Sequence, residues 1–436
     1  MKFNLKKILL FFSLFLILSS IIIFYNLKDV KRFLAVNLSP NISTLIRIIT
    51  NSDGHLFEHY NNDYLVKFLP RTQFINLDLK KIKLNFLKEG DWINYPYSFD
   101  LYNDKLIILT QVEGKMFTEN IQNIYKNQNT SFSEINTNLS NFTKDASQVK
   151  FPDLFLKNNK IYLLLNKVVN NCGSVSLMSG KLLNENINFE EIFSTKFIKE
   201  CIEIGTANGA GRINAINHQN KEYLSITLTH KSFTKNTYKK IEEKKNEKIY
   251  DFGNILLINE KDGEFIEFAR GFRNILGLYA DDKVVIATDN GPKGGDEINK
   301  VEFGKHYGWP YASYGEPYGK PNLENKNAPK IEKDHNKIGF EEPTYSFIYA
   351  LGIAEIIKLS NNFSEYWQNN FLVSTLNSKH LLRIKFDDEF NKIIYNEKIY
   401  VGERIRDLKY DKKNKTIILA LTSSGSLGIL KKKNNL

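Results

Sequence analysis

Two arginines separated by a single residue, Arg404 and Arg406 in the segment GERIRDL, are well suited to bind an anion. On a β-strand, residues two positions apart point to the same face of the sheet, so both guanidiniums would face one ligand. Guanidinium groups match carboxylates in bidentate geometry, which suits a flat anion. Either arginine considered alone is better explained as half of a surface ion pair.

A second candidate is the acidic, glycine-rich segment GPKGGDEIN, residues 291–299. Carboxylate and carbonyl oxygens are hard ligands of the kind that suits Ca²⁺. Without further context, such a segment is a solvated loop. The sequence contains no HExxH, no CxxC and no nucleophile elbow, so zinc hydrolase, thiol redox and serine esterase functions have no support.

The elements that must position these residues are short β-strands. From about residue 63 onward, aliphatic and aromatic runs alternate with Asn, Asp, Gly and Lys clusters that favour turns. The pattern predicts a large antiparallel all-β protein and leaves a propeller, a sandwich and a solenoid open. The predicted strands include 105–110, 161–165, 223–229, 254–258, 284–288, 381–386 and 416–422.

Three motifs follow one another in the stretch 269–318: GFRN, then GPKGGDEIN, then YGWP. This ordered series resembles the glucose/sorbosone dehydrogenase family, the soluble pyrroloquinoline-quinone (PQQ) dependent aldose dehydrogenases. The likeness extends to GERIRDL and, more weakly, to ILTQVEGKMF (108–117) and NGAGRI (208–213). Since members of this family are six-bladed β-propellers, the resemblance predicts such a propeller over residues 63–436.

The resemblance also implies a cofactor. In this family PQQ lies over the central channel and takes a hydride from the anomeric carbon of the sugar. Its three carboxylates need fixed cations and polar partners. By resemblance, these are Arg273, Asn274, Arg404 and Arg406.

Calcium is the second implied cofactor, because the family uses it to polarise and hold the quinone. The backbone carbonyls of Gly291 and Pro292 occupy the positions of its ligands. Asp296, Glu297 and Tyr307 resemble a further calcium site of structural type.

Several positions depart from the family pattern. The general base of the family is a histidine, and its position is Asn208 here, whose amide cannot accept a proton near neutral pH. Ala210 replaces a glycine, Asn377 replaces a lysine near the quinone, and Leu351 replaces a serine. His230, at the end of the next predicted strand, is a candidate replacement base with a pKa in the useful range. Loss of the base would lower the reaction rate by a factor of about 10²–10⁴, so enzymatic activity is left open.

The N-terminal segment predicts a membrane anchor. Lysines precede an unbroken apolar run over residues 8–25, whose length is at the lower edge of what spans a bilayer. No small-residue cleavage site follows it, which favours an uncleaved signal anchor over a cleaved signal peptide. We therefore expect a signal anchor over residues 1–27 and a juxtamembrane linker, partly helical, over 28–62. Basic residues flank the run on both sides, so charge alone does not orient it. The family resemblance places the body on the periplasmic, extracytoplasmic side.

The net charge of +11 favours anionic partners, including lipid headgroups. Nucleic acid is not predicted, because no basic stripe with interleaved aromatic residues occurs. Cys172 and Cys201 either form one disulfide, as an exported protein allows, or are two buried thiols.

Two functions follow from these observations. The first is a PQQ- and Ca²⁺-dependent oxidoreductase for aldose sugars or related alcohols. The second is a catalytically inactive, membrane-tethered propeller that binds a carbohydrate, an anionic ligand or a protein partner. The substrate, the electron acceptor and the oligomeric state cannot be derived from the residues.

Overall fold

Branched and aromatic runs separated by Asn, Asp and Gly turns form twenty-six β-strands among the described residues. The computed structural model describes Thr72 and residues 75–433, except 90–94, 127–129, 183–185, 198–209, 230–252 and 317–330. All of these lie within the unit of residues 67–436.

The strands occur in the following order: β1 (Leu77–Lys83), β2 (Tyr97–Tyr102), β3 (Lys105–Thr110), β4 (Met116–Asn120), β5 (Ser133–Thr137), β6 (Gln148–Lys150), β7 (Leu154–Lys157), β8 (Lys160–Val169), β9 (Cys172–Lys181), β10 (Asn186–Ile187), β11 (Phe189–Ser194), β12 (Ala210–His218), β13 (Lys221–Leu228), β14 (Asn254–Ile258), β15 (Phe265–Arg270), β16 (Ile275–Ala280), β17 (Val285–Asp289), β18 (Asp296–Lys300), β19 (Tyr345–Phe347), β20 (Ile353–Lys358), β21 (Asn370–Thr375), β22 (His380–Phe386), β23 (Ile393–Tyr400), β24 (Ile405–Asp411), β25 (Thr416–Leu421) and β26 (Ser426–Lys432). Two short helices, α1 (Ile121–Lys126) and α2 (Ser140–Thr143), and three 3-10 turns, Thr195–Phe197, Asn336–Ile338 and Glu365–Trp367, complete the described elements.

The strands are arranged in six sheets. The sheets are β2 to β5 with β10 added, β6 to β9 with β11, β12 to β15, β16 to β19, β20 to β23, and β24 to β26 with β1. The innermost strands β2, β7, β12, β16, β20 and β24 each contact the next, and β24 contacts β2. Six sheets in a closed ring form a six-bladed β-propeller, which confirms the predicted fold.

The ring closes through strands from opposite ends of the described chain. β1 pairs in antiparallel register with β26, from Leu77 opposite Lys432 to Lys83 opposite Ser426. The last blade therefore contains one N-terminal and three C-terminal strands, and β1 as its outermost strand covers the edge of β26.

The hydrophobic core lies between the blades rather than on the axis. Six apolar clusters each join side chains of two neighbouring sheets. For example, Leu351 is fully buried in the cluster that contains Phe347, Ile353 and Phe371. Because the apolar side chains occupy the interfaces between blades, the axis is available for polar groups.

The ends of the predicted strands lie within four residues of the observed ends. The predictions 105–110 and 254–258 coincide with β3 and β14. The predicted anchor (1–27) and linker (28–62) lie outside the described residues. Within the described ranges, no helix is both long and apolar enough to cross a membrane.

Candidate cofactor site

The inner strands are irregular at the level where they face the axis. The strand register shifts between Ala210 and Ile213 in β12 and between Ile275 and Gly277 in β16. It shifts again between residues 353 and 356 in β20 and between 405 and 408 in β24. Such bulges re-aim side chains, and the residues inside them are Gly211, Arg212, Leu276, Ala354, Glu355, Arg406 and Asp407.

Arg212 joins these bulges to one another. Its Nη1 lies 3.0 Å from the carboxylate of Asp153, 3.2 Å from that of Glu355 and 3.4 Å from that of Asp407. Its Nε donates to the carbonyl of Leu276, and its Nη2 donates to the carbonyl of Arg406 at 2.9 Å. We call Arg212, Asp153, Glu355 and Asp407 the axial ion cluster.

The axial ion cluster is almost completely buried, since its side chains are at most 7% exposed. Burial raises the pKa of Asp153 to about 6 and that of Glu355 to about 7, although Arg212 lowers both. Burial opposes the charge of Arg212, but Glu355, Asp407 and Asp153 together raise its pKa. One guanidinium therefore connects five of the six blades, through β12, β16, β20, β24 and the loop before β7.

Arg406, predicted to bind the cofactor, lies next to this cluster. The residue is only 7% exposed. Burial and the nearby charges of Arg212 and Arg404 lower the pKa of Arg406 to about 10, so it remains a cation at neutral pH. Its guanidinium forms no hydrogen bond or ion pair within the described part of the chain.

The two arginines do not share a regular strand face, so that premise of the sequence argument is wrong. Arg404 precedes β24, and Arg406 lies inside the bulge. The backbone of Arg404 is instead fixed by Ser423 and Thr422, through hydrogen bonds of 3.3 and 3.0 Å. The structure nevertheless brings both side chains close enough for Arg404 to affect the pKa of Arg406.

The motifs GFRN and GPKGGDEIN meet directly. Nη1 of Arg273 donates to the carbonyls of Asn290 at 2.6 Å and Gly291 at 2.7 Å. The backbone N–H groups of Arg273 and Asn274 donate to the two carboxylate oxygens of Asp289 at 2.7 and 2.5 Å. Asp289 is buried, which raises its pKa. This carboxylate holds the turn that carries two of the predicted cofactor ligands.

The YGWP segment packs against the same turn. The ring of Tyr307 stacks on Phe272 with centroids 4.7 Å apart, and the N–H of Trp309 donates to the carbonyl of Gly271 at 2.9 Å. The hydroxyl of Tyr307 donates to the carbonyl of Lys300 at 2.7 Å. Tyr307 therefore supports the turn, and its role as a calcium ligand stays a prediction.

Asp296 and Glu297, the other predicted calcium ligands, are both buried. Asp296 accepts hydrogen bonds from the N–H groups of Gly291 at 2.9 Å and Ile353 at 3.1 Å, and burial raises its pKa to about 7. Burial and the charge of Asp289 raise the pKa of Glu297 well above its usual range.

The residues present fit PQQ better than they fit Ca²⁺. The guanidinium of Arg406, which is buried and has no hydrogen-bond or ion-pair partner among the described residues, suits a carboxylate of PQQ. In contrast, the Gly291 carbonyl already accepts a hydrogen bond from the cationic Arg273. Over the described ranges, no three His, Cys, Asp or Glu side chains are grouped to hold a metal. Pro292 is buried in the same turn. In this arrangement, the residues present therefore do not fit Ca²⁺.

The positions that depart from the family pattern fall in different places. Leu351 packs in a hydrophobic cluster between blades, and the side-chain amide of Asn377 donates to the carbonyl of Ala350 at 2.9 Å. The predicted catalytic residues Asn208 and His230 lie outside the described residues. The backbone of Ala210 begins β12.

Sequence reasoning did not identify the axial ion cluster. A signal was present, because IAEI (353–356) and IRDL (405–408) interrupt apolar strands with charged residues. Charges inside an apolar strand are rarely buried unless they are paired. The partners come from distant parts of the sequence, so the pairing itself was not visible.

Cys172 is disulfide-bonded, which excludes a free thiol at this position. Its predicted partner, Cys201, lies outside the described residues.

Comparison with known proteins gives one family. A family model described as glucose/sorbosone dehydrogenase matches residues 93–430. The aldose sugar dehydrogenase YliI of Escherichia coli is 26% identical over 163 residues, which are 36% of this chain and 41% of that protein. The matches span less than half the length of the curated relatives, 37% and 41%.

Solved structures share the fold. The soluble aldose sugar dehydrogenase from Escherichia coli in the apo-form has a TM-score of 0.60 at 16% identity, covering 83% of this chain and 100% of that one. The PQQ-bound form of aldose sugar dehydrogenase from Streptomyces coelicolor has a TM-score of 0.53 at 16% identity, covering 84% and 100%. At these identities, the likeness is evidence for the fold alone.

Proposed function

Because the chain belongs to the glucose/sorbosone dehydrogenase family, we propose that it is a PQQ-dependent oxidoreductase that acts on aldose sugars or related alcohols. The observation that carries this proposal is the Arg406 guanidinium, buried beside the axis with no partner among the described residues. A buried cation without a counterion is costly unless a ligand supplies the anion.

The chain's own residues bind and orient the ligand. Arg406 provides a fixed positive charge for a carboxylate, and Arg212 holds the Arg406 backbone in place through its carbonyl. Arg273 and Asn274 are held on their turn by Asp289. When bound at these residues, PQQ would supply the two-electron redox chemistry of sugar oxidation.

Proton transfer from the sugar hydroxyl needs a base. We propose His230 for this role, since the family's base position is Asn208. A specific observation supports the alternative function: an amide at that position cannot accept the proton. In the alternative, the propeller binds a carbohydrate, an anionic ligand or a protein partner without turnover.

The proposal also includes the cellular location of the protein. We propose that residues 1–27 anchor the chain in the membrane and that the propeller lies on the periplasmic side. The disulfide at Cys172 supports this location, because disulfides persist in oxidising compartments. Protease added to intact spheroplasts is expected to degrade the propeller; full protection would contradict the proposed orientation.

A PQQ titration of the purified full-length chain tests the function. Arg406→Met should weaken binding by at least about 30-fold, since loss of one partner of a buried charge pair costs about 2–5 kcal/mol. Arg383→Met is the matched control, because Arg383 is equally buried but pairs with Glu397 at 2.6 Å in an outer part of its blade. No PQQ binding to the wild type would refute the proposal.

Two additions to this titration test the predicted calcium ion and the proposed base separately. Added Ca²⁺ should strengthen PQQ binding only if the Gly291 carbonyl turns from Arg273 to the metal and the Pro292 carbonyl joins it. An unchanged affinity would argue against the predicted calcium ion. Sugar-dependent dye reduction that is abolished in His230→Ala would identify the base, whereas tight PQQ binding without turnover would favour the inactive alternative.

A further inference from the structure

A cavity of about 260 Å³ lies on the blade of β2 to β5, outside the axial ion cluster. The turn between β3 and β4, the strand β5 and the helix α2 surround it. Three of its lining side chains, Ile135, Leu139 and Phe151, are buried and belong to the hydrophobic cluster that joins this blade to the next. The cavity therefore has a rigid apolar base. We call it the rim cavity.

The rim cavity carries no unbalanced charge. The carboxylate of Glu134 lies 3.2 Å from the ammonium of Lys115, and that of Glu113 lies 2.5 Å from the ammonium of Lys88. Each carboxylate keeps lone pairs that can accept further hydrogen bonds. Because every charged residue that lines the cavity is paired, the cavity does not select for an anion or a cation.

Three further polar residues line the rim cavity, Asn136, Thr137 and Ser140. Within the described part of the chain, their side chains form no hydrogen bond. The backbones of Asn136 and Thr137 are fixed, because β5 pairs with β10 at Asn186 and Ile187. One amide and two hydroxyls provide both donors and acceptors. Such a set suits a neutral ligand that carries many hydroxyl groups.

A short segment connects the rim cavity to the axial ion cluster. Phe151 lines the cavity, and Asp153, two residues later, lies 3.0 Å from the guanidinium of Arg212. Their Cα atoms are at most about 7 Å apart. Gln111 fixes the segment, since its carbonyl accepts the N–H of Phe151 at 2.9 Å and its amide donates to the carbonyl of Pro152 at 2.8 Å. The cavity and the cluster therefore lie at the same end of the propeller.

We propose that the rim cavity binds one neutral glycosyl unit of an oligosaccharide whose reducing end reaches the candidate cofactor site. The inference rests on the proposed function for what happens at that reducing end. A sugar ring combines apolar C–H faces with hydroxyl groups, and the cavity combines an apolar base with neutral hydrogen-bonding groups. Its volume is below the roughly 300–1,000 Å³ of pockets for drug-sized ligands, so it suits a single ring. The expected substrates are therefore short oligosaccharides rather than free monosaccharides.

The experiment is calorimetric titration of the full-length chain, free of PQQ, with maltotriose, cellotriose and xylotriose, and with glucose as the monosaccharide. At least one trisaccharide should bind at least about tenfold more tightly than glucose, because linked units gain affinity when they bind at two places. If none of the three binds more tightly than glucose, the inference is wrong.

Two variants test whether the trisaccharide binds at the rim cavity. Ser140→Phe, which adds a bulky ring at the cavity, should weaken binding by at least about tenfold. Asn136→Ala, which removes hydrogen-bonding groups from an exposed position, should weaken binding by roughly 2–10-fold. Asn141→Phe is the matched control, because Asn141 is the next residue of α2, is exposed and does not line the cavity. It should bind the trisaccharide as tightly as the wild type.

A PQQ titration of the same preparations separates this inference from the proposed function. If PQQ binds, but Ser140→Phe and Asn136→Ala bind the trisaccharide like the wild type, the inference is wrong and the proposed function stands. If both variants weaken trisaccharide binding and PQQ does not bind, the rim cavity stands as a saccharide site and the inactive alternative replaces the proposed function. If neither PQQ nor any trisaccharide binds, both proposals are refuted.

Discussion

Replacement of Arg212 by methionine would remove the charge from the axial ion cluster while keeping most of the side-chain volume. Three carboxylates within 3.4 Å would lose their shared cation, and the carbonyls of Leu276 and Arg406 would lose a donor. Loss of one partner of a buried pair costs about 3–5 kcal/mol, and each lost charged hydrogen bond adds about 1–3 kcal/mol. Since groups that share a partner are not additive, we expect about 4–6 kcal/mol at pH 8.

The pH dependence distinguishes this cluster from an ordinary packing site. The pKa values of Glu355 and Asp153 are raised in the folded protein, and loss of Arg212 would raise them further. The folded variant then binds more protons than the unfolded chain, so its stability rises as pH falls below 8. The destabilisation should shrink by at least about 2 kcal/mol between pH 8 and pH 5.

Urea unfolding followed by tryptophan fluorescence at pH 5 and pH 8 measures both quantities. Arg383→Met is the control, since it breaks one ion pair, with Glu397, and neutral hydrogen bonds to Asn370 and Tyr395. It leaves no group of three buried carboxylates. Its cost should be similar at the two pH values. A loss below about 1 kcal/mol for Arg212→Met at pH 8, or an equal loss at both pH values, would refute the electrostatic account.

Two further predictions concern the backbone and the disulfide. Gly294→Ala should cost more than about 3 kcal/mol, because its φ is +81° and a Cβ would lie 2.1 Å from the carbonyl oxygen of Ile348. Gly304 has a similar φ of +77°, but a Cβ added there would meet open space. Gly304→Ala should therefore cost only about 1–2 kcal/mol in urea unfolding. Equal costs for the two variants would exclude the clash at Gly294. Cys172→Ala should lower stability by about 3–4 kcal/mol and abolish the effect of a reducing agent; a variant still destabilised by reductant would contradict this.

Local signals predicted the strands and the motif-bearing turns well. Strand residues were recognised from apolar runs between turn formers, because both preferences act over a few residues. The contact between Arg273 and Gly291 joins motifs separated by one hairpin, β16 and β17. The number of blades came from the family resemblance, since the blades show no visible sequence repeat.

The geometry around the axis was not predictable in the same way. Arg212, Glu355 and Asp407 meet because bulges in three strands turn these side chains toward one point. A bulge depends on how a strand pairs with its neighbours, which a single strand sequence does not reveal. For the same reason, the regular-strand argument for Arg404 and Arg406 was wrong in its premise.

The pairing of β1 with β26 has a consequence for the order of events during synthesis. Ribosomes make the N-terminal residues first, so β1 emerges long before β26, its partner among the described strands, exists. During that interval its backbone groups form an open edge that other strands could join. Lys80, Lys81 and Lys83 lie along β1, and charged side chains on an edge oppose such aggregation. The ring therefore closes only after the last strand is made, and the lysines keep the waiting strand soluble until then.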